Sequence, residues 1–160
     1  MATHLELFAD YHQLHLFDEG STTEFSSAWT PQATTDKIAV ARDALGVGTT
    51  VNVLVSVTID TLTQAPPNNS EIYDHVTEAS ILVESGRLIV MGCTDFAPEA
   101  ERITVPPGWL RVRVSRSNLG IAEELAESSD EDPSTMEKVL IEVWPAPQTA
   151  TAVVKRWQPN

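Results

Sequence analysis

The side chains able to do chemistry are few and dispersed. Histidines stand at His4, His12, His15 and His75, and the one cysteine is Cys93. His12 and His15 are three apart, a spacing that joins side chains on a helix but parts them on a strand. They lie in an alternating segment, so no shared metal is expected there. His12 shares the parity of Leu14 and Leu16, which reads as a buried, hydrogen-bonded histidine. Asp74-His75 would need further ligands from elsewhere in the chain. Cys93 lies in Met91-Gly92-Cys93-Thr94-Asp95 with no base beside it. A cysteine nucleophile needs an activating base, so this one reads as a small buried hydrophobe. Gly46-Val47-Gly48 precedes a strand pattern rather than the helix a phosphate site requires, and it reads as a turn. The four tryptophans, Trp29, Trp109, Trp144 and Trp157, are scattered. They serve as core edges and loop anchors as readily as a carbohydrate platform. The expectation is a protein with no catalytic residue, no metal and no cofactor.

Charge carries more information. The 160 residues include 23 acids and 10 bases, for a net charge of −13. That argues against direct binding of nucleic acid or an anionic membrane, because phosphate contacts need clustered Lys and Arg. It suits a basic protein partner. The placement is uneven. Residues 1–80 hold 11 acids and 2 bases, and the first 36 residues hold no base at all. The densest run is Glu123, Glu124, Glu127, Asp130, Glu131 and Asp132. Within an acidic loop at 117–135, these six read either as a solvated surface or as a partner-facing imitation of a phosphate backbone. Arg111, Arg113 and Arg116 form the one basic cluster.

These groups must be positioned by strands, because the prevailing period is two. Val51, Val53, Val55, Val57 and Ile59 share one face of a strand rich in β-branched residues. Thr77, Ala79, Ile81 and Val83 alternate up to Ser85-Gly86, and Arg87 to Met91 follows; a tight hairpin is expected there. Ile103 and Val105 end at Pro106-Pro107-Gly108. Leu110, Val112 and Val114 alternate with Arg111, Arg113 and Ser115. Val139, Ile141 and Val143 form another strand face, and 152–155 a last short one. At the N-terminus Leu5, Leu7 and Ala9 occupy odd positions, whereas His12, Leu14 and Leu16 occupy even ones. A one-residue slip exchanges the faces of a strand, so a bulge or sharp bend is expected between Asp10 and His12. Thr30-Pro31 reads as an N-cap and first helical residue of a short helix reaching Lys37. Residues 120–127 suit a helical turn or two, with Ile121 and Leu125 on one side. The expectation is one domain over 1–160: an antiparallel β-sandwich of eight or nine short strands, a Greek-key barrel being the near alternative. The hydrophobic fraction of 42% is enough for such a core. No basic segment precedes an apolar run near Met1, so a cytoplasmic protein is expected.

The run Leu5-Glu6-Leu7-Phe8-Ala9-Asp10-Tyr11-His12-Gln13-Leu14-His15-Leu16-Phe17, followed by Trp29-Thr30, resembles the opening of the competence protein J family. Residues 48–59 resemble that family's central strand, and 76–108 its hairpin and following turn. The resemblance covers roughly residues 4–117, and Tyr11, His12, Gln13 and Trp29 are its motif positions. It implies a small cytoplasmic inhibitor of a bacterial DNA-entry nuclease, acting by binding rather than catalysis. A nuclease presents a basic groove to DNA, so the acids at 123–132 would be steered to it. The alternatives are a β-sandwich that binds a small ligand or carbohydrate, and an interaction protein of another role.

Overall fold

The computed structural model describes residues 1–159. Eleven strands form two sheets. The strands are β1 Ala2–Phe8, β2 Gln13–Asp18, β3 Ile38–Val40, β4 Ala44–Gly48, β5 Leu54–Thr61, β6 His75–Val83, β7 Arg87–Gly92, β8 Glu101–Thr104, β9 Gly108–Ser117, β10 Lys138–Pro145 and β11 Ala152–Lys155. The larger sheet runs β1-β5-β10-β9-β6-β11 and the smaller β3-β4-β2-β7-β8. The inward alternation of each strand supplies the core between them. Val55, Val57, Ile59, Ile81, Leu110, Val112, Ile141 and Val143 come from the larger sheet, and Leu14, Leu16, Leu45, Val47, Leu88 and Val90 from the smaller. The all-β sandwich is as the alternation predicts, with more strands than expected.

One strand pair differs in direction from the expectation. β10 lies parallel to β5 (Val139 opposite Val57, Ile141 opposite Ile59), so the larger sheet is mixed. All other pairs are antiparallel. Parallel neighbours need a long crossover, and here most of the chain between them supplies the rest of the fold.

The hairpin expected at Ser85-Gly86 is not formed. β6 belongs to the larger sheet and β7 to the smaller, so Glu84-Ser85-Gly86 carries the chain between layers and makes no hairpin. Gly86 takes φ +72°, where a side chain would be strained, and its absent Cβ would stand 3.2 Å from the Val105 carbonyl. Pro106-Pro107-Gly108 crosses back from β8 to β9. Alternation fixes which face of a strand is buried but not which sheet it joins. The bend expected after β1 is the same device. Tyr11 and His12 take φ +55° and +58° in a single turn of 3-10 helix, and the chain passes from the larger sheet to the smaller. Gly46-Val47-Gly48 is the end of strand β4, not a turn.

The short helix α1, Pro31–Asp36, is capped as its sequence predicts. The Thr30 hydroxyl accepts from the Ala33 N–H, and Lys37 closes the helix in the left-handed conformation. The helical turns expected over 120–127 form within the segment expected as an acidic loop: helix α2, Leu119–Leu125, runs into 3-10 turns over Ala126–Glu131. Its buried side chains are Leu119 and Ala122, while Ile121 faces solvent.

Arg116 joins these parts. It has the inward parity of Val112 and Val114 and is fully buried. Its Nε donates to the Gly48 carbonyl at 3.0 Å, one terminal nitrogen to Thr77 Oγ1 at 3.3 Å, and the other to the Lys37 carbonyl. One guanidinium thus ties β9 and β6 to β4 and to the end of α1. Removing one member of a buried charged network costs about 3–5 kcal/mol. Arg116→Met is therefore expected to lose about that much stability in urea denaturation. Arg116→Lys is also expected to lose about 2 kcal/mol or more, because an ammonium cannot span three acceptors held in a fork.

Candidate functional site

The motif positions Tyr11, His12, Gln13 and Trp29 converge on one cleft of about 750 Å³ beside the smaller sheet, completed by His15 and Phe25. The turn that brings Tyr11 and His12 there is held by Asp10. Its carboxylate accepts from the Tyr11 N–H at 3.1 Å and from Thr94 Oγ1 at 3.0 Å. Its carbonyl accepts from Cys93 Sγ at 3.2 Å. His12 contradicts its expected burial: it is exposed, because the left-handed turn lifts it clear before β2 begins. Only its backbone is used: the His12 N–H donates to the Ala9 carbonyl at 3.0 Å, and its carbonyl accepts from the Thr49 N–H at 2.9 Å. Tyr11 is 72% exposed.

Deeper in the cleft, Gln13 Oε1 accepts from Trp29 Nε1 at 2.8 Å and lies 2.8 Å from His15 Nε2. Phe25 stands edge-on to His15 (5.2 Å between ring centres) and to Trp29 (6.5 Å). Gly46 makes that aromatic cluster possible, since a Cβ there would lie 2.5 Å from the Trp29 ring and 2.6 Å from Phe25. Burial holds the His15 pKa below its ordinary value, so the ring is neutral at pH 7. His15 and Phe25 escape sequence reasoning because they lie on the face of β2 and in the loop that pattern assigns to solvent.

Cys93 is half-buried on the cleft wall rather than a core residue. Burial, then the Asp10 charge, pushes its thiol pKa up, away from the thiolate a nucleophile requires. Among the described residues no group of three His, Cys, Asp or Glu could hold a metal. The tryptophans form no common platform: Trp29 is in the cleft, Trp109 lines a separate cavity with Val40 and Thr149, buried Trp144 lies under Arg113, and Trp157 packs on Lys37.

Beneath α1 lies a buried charged cluster that sequence reasoning missed. Glu137 is fully buried; its Oε1 accepts from the Thr50 and Val51 N–H groups at 2.7 and 3.2 Å, and its Oε2 has no partner. Burial pushes its pKa to about 7, against the pull of Arg116 and Lys37. His75 uses both ring nitrogens. Nε2 meets the Asp36 carbonyl at 2.8 Å, and Nδ1 accepts from the Trp157 N–H at 3.1 Å. Burial, then the Arg116 charge, lowers its pKa to about 4. Parity is the signal that could have found this cluster, since His75, Thr77 and Arg116 all occupy inward positions.

The six acids of 123–132 divide in two. Asp130 accepts from the Leu54 N–H at 3.1 Å, tying the cap to the start of β5. Asp132 accepts from the Ser134 N–H and hydroxyl, both at 2.8 Å, and those bonds hold its pKa low. Glu123, Glu124, Glu127 and Glu131 are exposed and have no hydrogen-bond or ion-pair partner among the described residues.

These parts define a two-sheet β-sandwich with an aromatic cleft at its first interlayer turn and an acidic helical cap. Solved structures show that this is a ComJ-like fold. The chain superposes on ComJ of Bacillus subtilis, described as the inhibitor of the DNA degrading activity of NucA, with a TM-score of 0.64 at 15% identity. The match covers 90% of this chain and 96% of that one. It is also similar to the crocagin biosynthetic gene J protein, with a TM-score of 0.61 at 19% identity over 92% of this chain and 98% of that one. No protein-family model and no curated protein matches the sequence.

The buried pair sets opposed pH dependences. Glu137 has a raised folded pKa, so its contribution is full below about 4.5 and is lost as pH rises through about 7. His75 has a depressed one, so its contribution is present above about 6.5 and is lost as pH falls toward 4. Relative to the parent, Glu137→Gln is expected to make stability rise more steeply with pH between 4.5 and 7. His75→Asn is expected to make it fall more steeply, each read from denaturation midpoints across a pH series. In the cleft, Gly46→Val is expected to displace the aromatic pair. It should lower stability by about 1–3 kcal/mol and alter the near-ultraviolet circular dichroism.

Proposed function

We propose that this chain is a non-catalytic binding protein that blocks a nuclease, presenting the carboxylates of the 119–131 cap to a basic surface of that enzyme. The observation that supports it is the likeness to ComJ across 90% of the chain, together with a net charge of −13. A DNA-cutting enzyme must carry a positive groove for its phosphate substrate. Glu123, Glu124, Glu127 and Glu131 are the groups free to meet that groove. Asp130 and Asp132 hold the cap in shape. Oppositely charged surfaces raise association from about 10⁵–10⁶ to as much as about 10⁸–10⁹ M⁻¹s⁻¹ at low salt. The Tyr11–Trp29 cleft offers the aromatic surface typical of binding hot spots. The chain acts as one domain in the cytoplasm, where it spares cellular DNA. No helix among the described residues is long and apolar enough to cross a membrane.

The test uses a DNA-degrading nuclease of the source organism. Stoichiometric protein is expected to stop DNA degradation. Changing Glu123, Glu124, Glu127 and Glu131 to glutamine is expected to slow association about tenfold or more at low salt and to flatten its salt dependence. DNA degradation that proceeds unchanged rules out the inhibitor reading. Inhibition with an unaltered association rate removes the cap from it.

A further inference from the structure

The aromatic cleft is built almost wholly from the base-free N-terminal stretch. Tyr11, Glu24, Phe25 and Trp29 all come from residues 1–36, which hold six acids and neither lysine nor arginine. Lys37 is the one lysine or arginine on the cleft wall, and its ammonium is engaged elsewhere. It lies 3.4 Å from Thr50 Oγ1 and 5.8 Å from the centre of the Trp157 ring, and neither of those residues lines the cleft. Glu24 is exposed, and among the described residues its carboxylate meets only the Ser26 hydroxyl, at 3.5 Å.

The rings form walls set at steep angles. Phe25 stands at 88° to Trp29 and at 62° to His15, and all three are only partly buried. Tyr11 adds a fourth, exposed ring whose hydroxyl has no partner among the described residues. Hydrogen bonding fixes the polar atoms between them. The Trp29 indole can only donate, so the Gln13 atom it meets is the carbonyl oxygen, and His15 Nε2 must also donate to that oxygen. The neutral His15 ring therefore keeps a lone pair at Nδ1 and adds no repulsion toward a cation. The Gln13 amide nitrogen is left free to donate.

Ring faces carry negative potential and attract cations. With a carboxylate beside them and no free ammonium or guanidinium on the wall, they make a receptor for positive charge. An anion would be repelled by Glu24, and a wholly apolar group would leave the Gln13 and His15 polar atoms unpaired. A guanidinium meets both demands, because its plane stacks on an aromatic face while its edge offers a fork of donors to a carboxylate. We propose that the cleft receives an arginine side chain projecting from a basic protein partner, with the guanidinium against the aromatic walls and its donors shared with Glu24. The volume of about 750 Å³ admits that side chain with part of its main chain, whose carbonyl the Gln13 amide can meet. This inference rests on the reading of the chain as a binder of a basic protein, and adds to it one anchoring residue. Binding hot spots are enriched in these same three types, Trp, Tyr and Arg.

Heteronuclear NMR of the full chain tests it without a nuclease. Each tryptophan gives one indole N–H signal, and Trp29→Phe identifies the signal of the cleft. N-acetyl-arginine methylamide is expected to shift that signal on titration. N-acetyl-citrulline methylamide has nearly the same shape and no charge, and it is expected to bind about fivefold or more weakly. Glu24→Gln and Tyr11→Leu alter exposed side chains. Each is expected to leave the spectrum of the free protein folded and to cut the preference for the arginine probe about threefold. An unmoved Trp29 signal, equal affinities for the two probes, or a preference intact in both variants overturns the proposal. Arginine selectivity without inhibition of a nuclease supports the cleft and removes only the nuclease reading. Inhibition without selectivity overturns the cleft and leaves that reading standing.

Discussion

A guanidinium sealed between two sheets is the constraint around which this molecule is arranged. Arg116 is fully buried away from solvent, so the backbone must come to it. The carbonyls of Gly48 and Lys37 do so. That requirement explains neighbouring details that otherwise look unrelated. Lys37 takes a left-handed conformation that ends α1 and aims its carbonyl inward. Gly48 lacks a Cβ, which would stand 2.9 Å from the Lys37 Cα. Glu137 offers a carboxylate in the same buried region, spent on the Thr50 and Val51 amides where the chain enters β5.

The same economy governs the rest of the positive charge. Arg87 and Arg102 both hold Glu19, Arg111 and Arg113 both hold Glu78, and Arg156 holds Asp36. Lys155 donates to the Glu71 and Tyr73 carbonyls, and Lys37 lies over Trp157. Most cations are therefore tethered inside the fold, whereas the cap glutamates are not. The excess negative charge is turned outward, which a net value alone does not disclose. The basic cluster at 111–116 is structural for the same reason. Two of its members clamp one carboxylate on the outer face of the larger sheet, and the third is in the core.

Period-two alternation made the strands legible, and with them the buried faces of β2, β5, β9 and β10. The parity switch at Asp10 located the interlayer turn, and Thr30-Pro31 located α1. Sheet membership was not legible. Glu84-Ser85-Gly86 would serve equally in a hairpin, and only the long-range partners of β6 and β7 decide the matter. The parallel β5–β10 pair is invisible for the same reason. His12 was misplaced because parity was extended into the turn itself, where strand geometry does not hold. Of the cleft, Tyr11, His12, Gln13 and Trp29 came from family likeness. His15 and Phe25 came only from the coordinates, because aromatic packing across a glycine leaves no periodic trace.

The position of β10 has a consequence for how the chain is made. The tenth strand of eleven fills the middle of the larger sheet, between β5 and β9. As synthesis proceeds from the N-terminus, residues 1–137 leave the ribosome before that slot can be closed. Until then two long, valine-rich strands offer open edges to any neighbouring chain. Neither sheet can be finished as a local unit, because successive strands keep changing layers, and such non-local pairing is slow. Birth, rather than the finished state, is thus the stage at which this protein most needs protection from its neighbours.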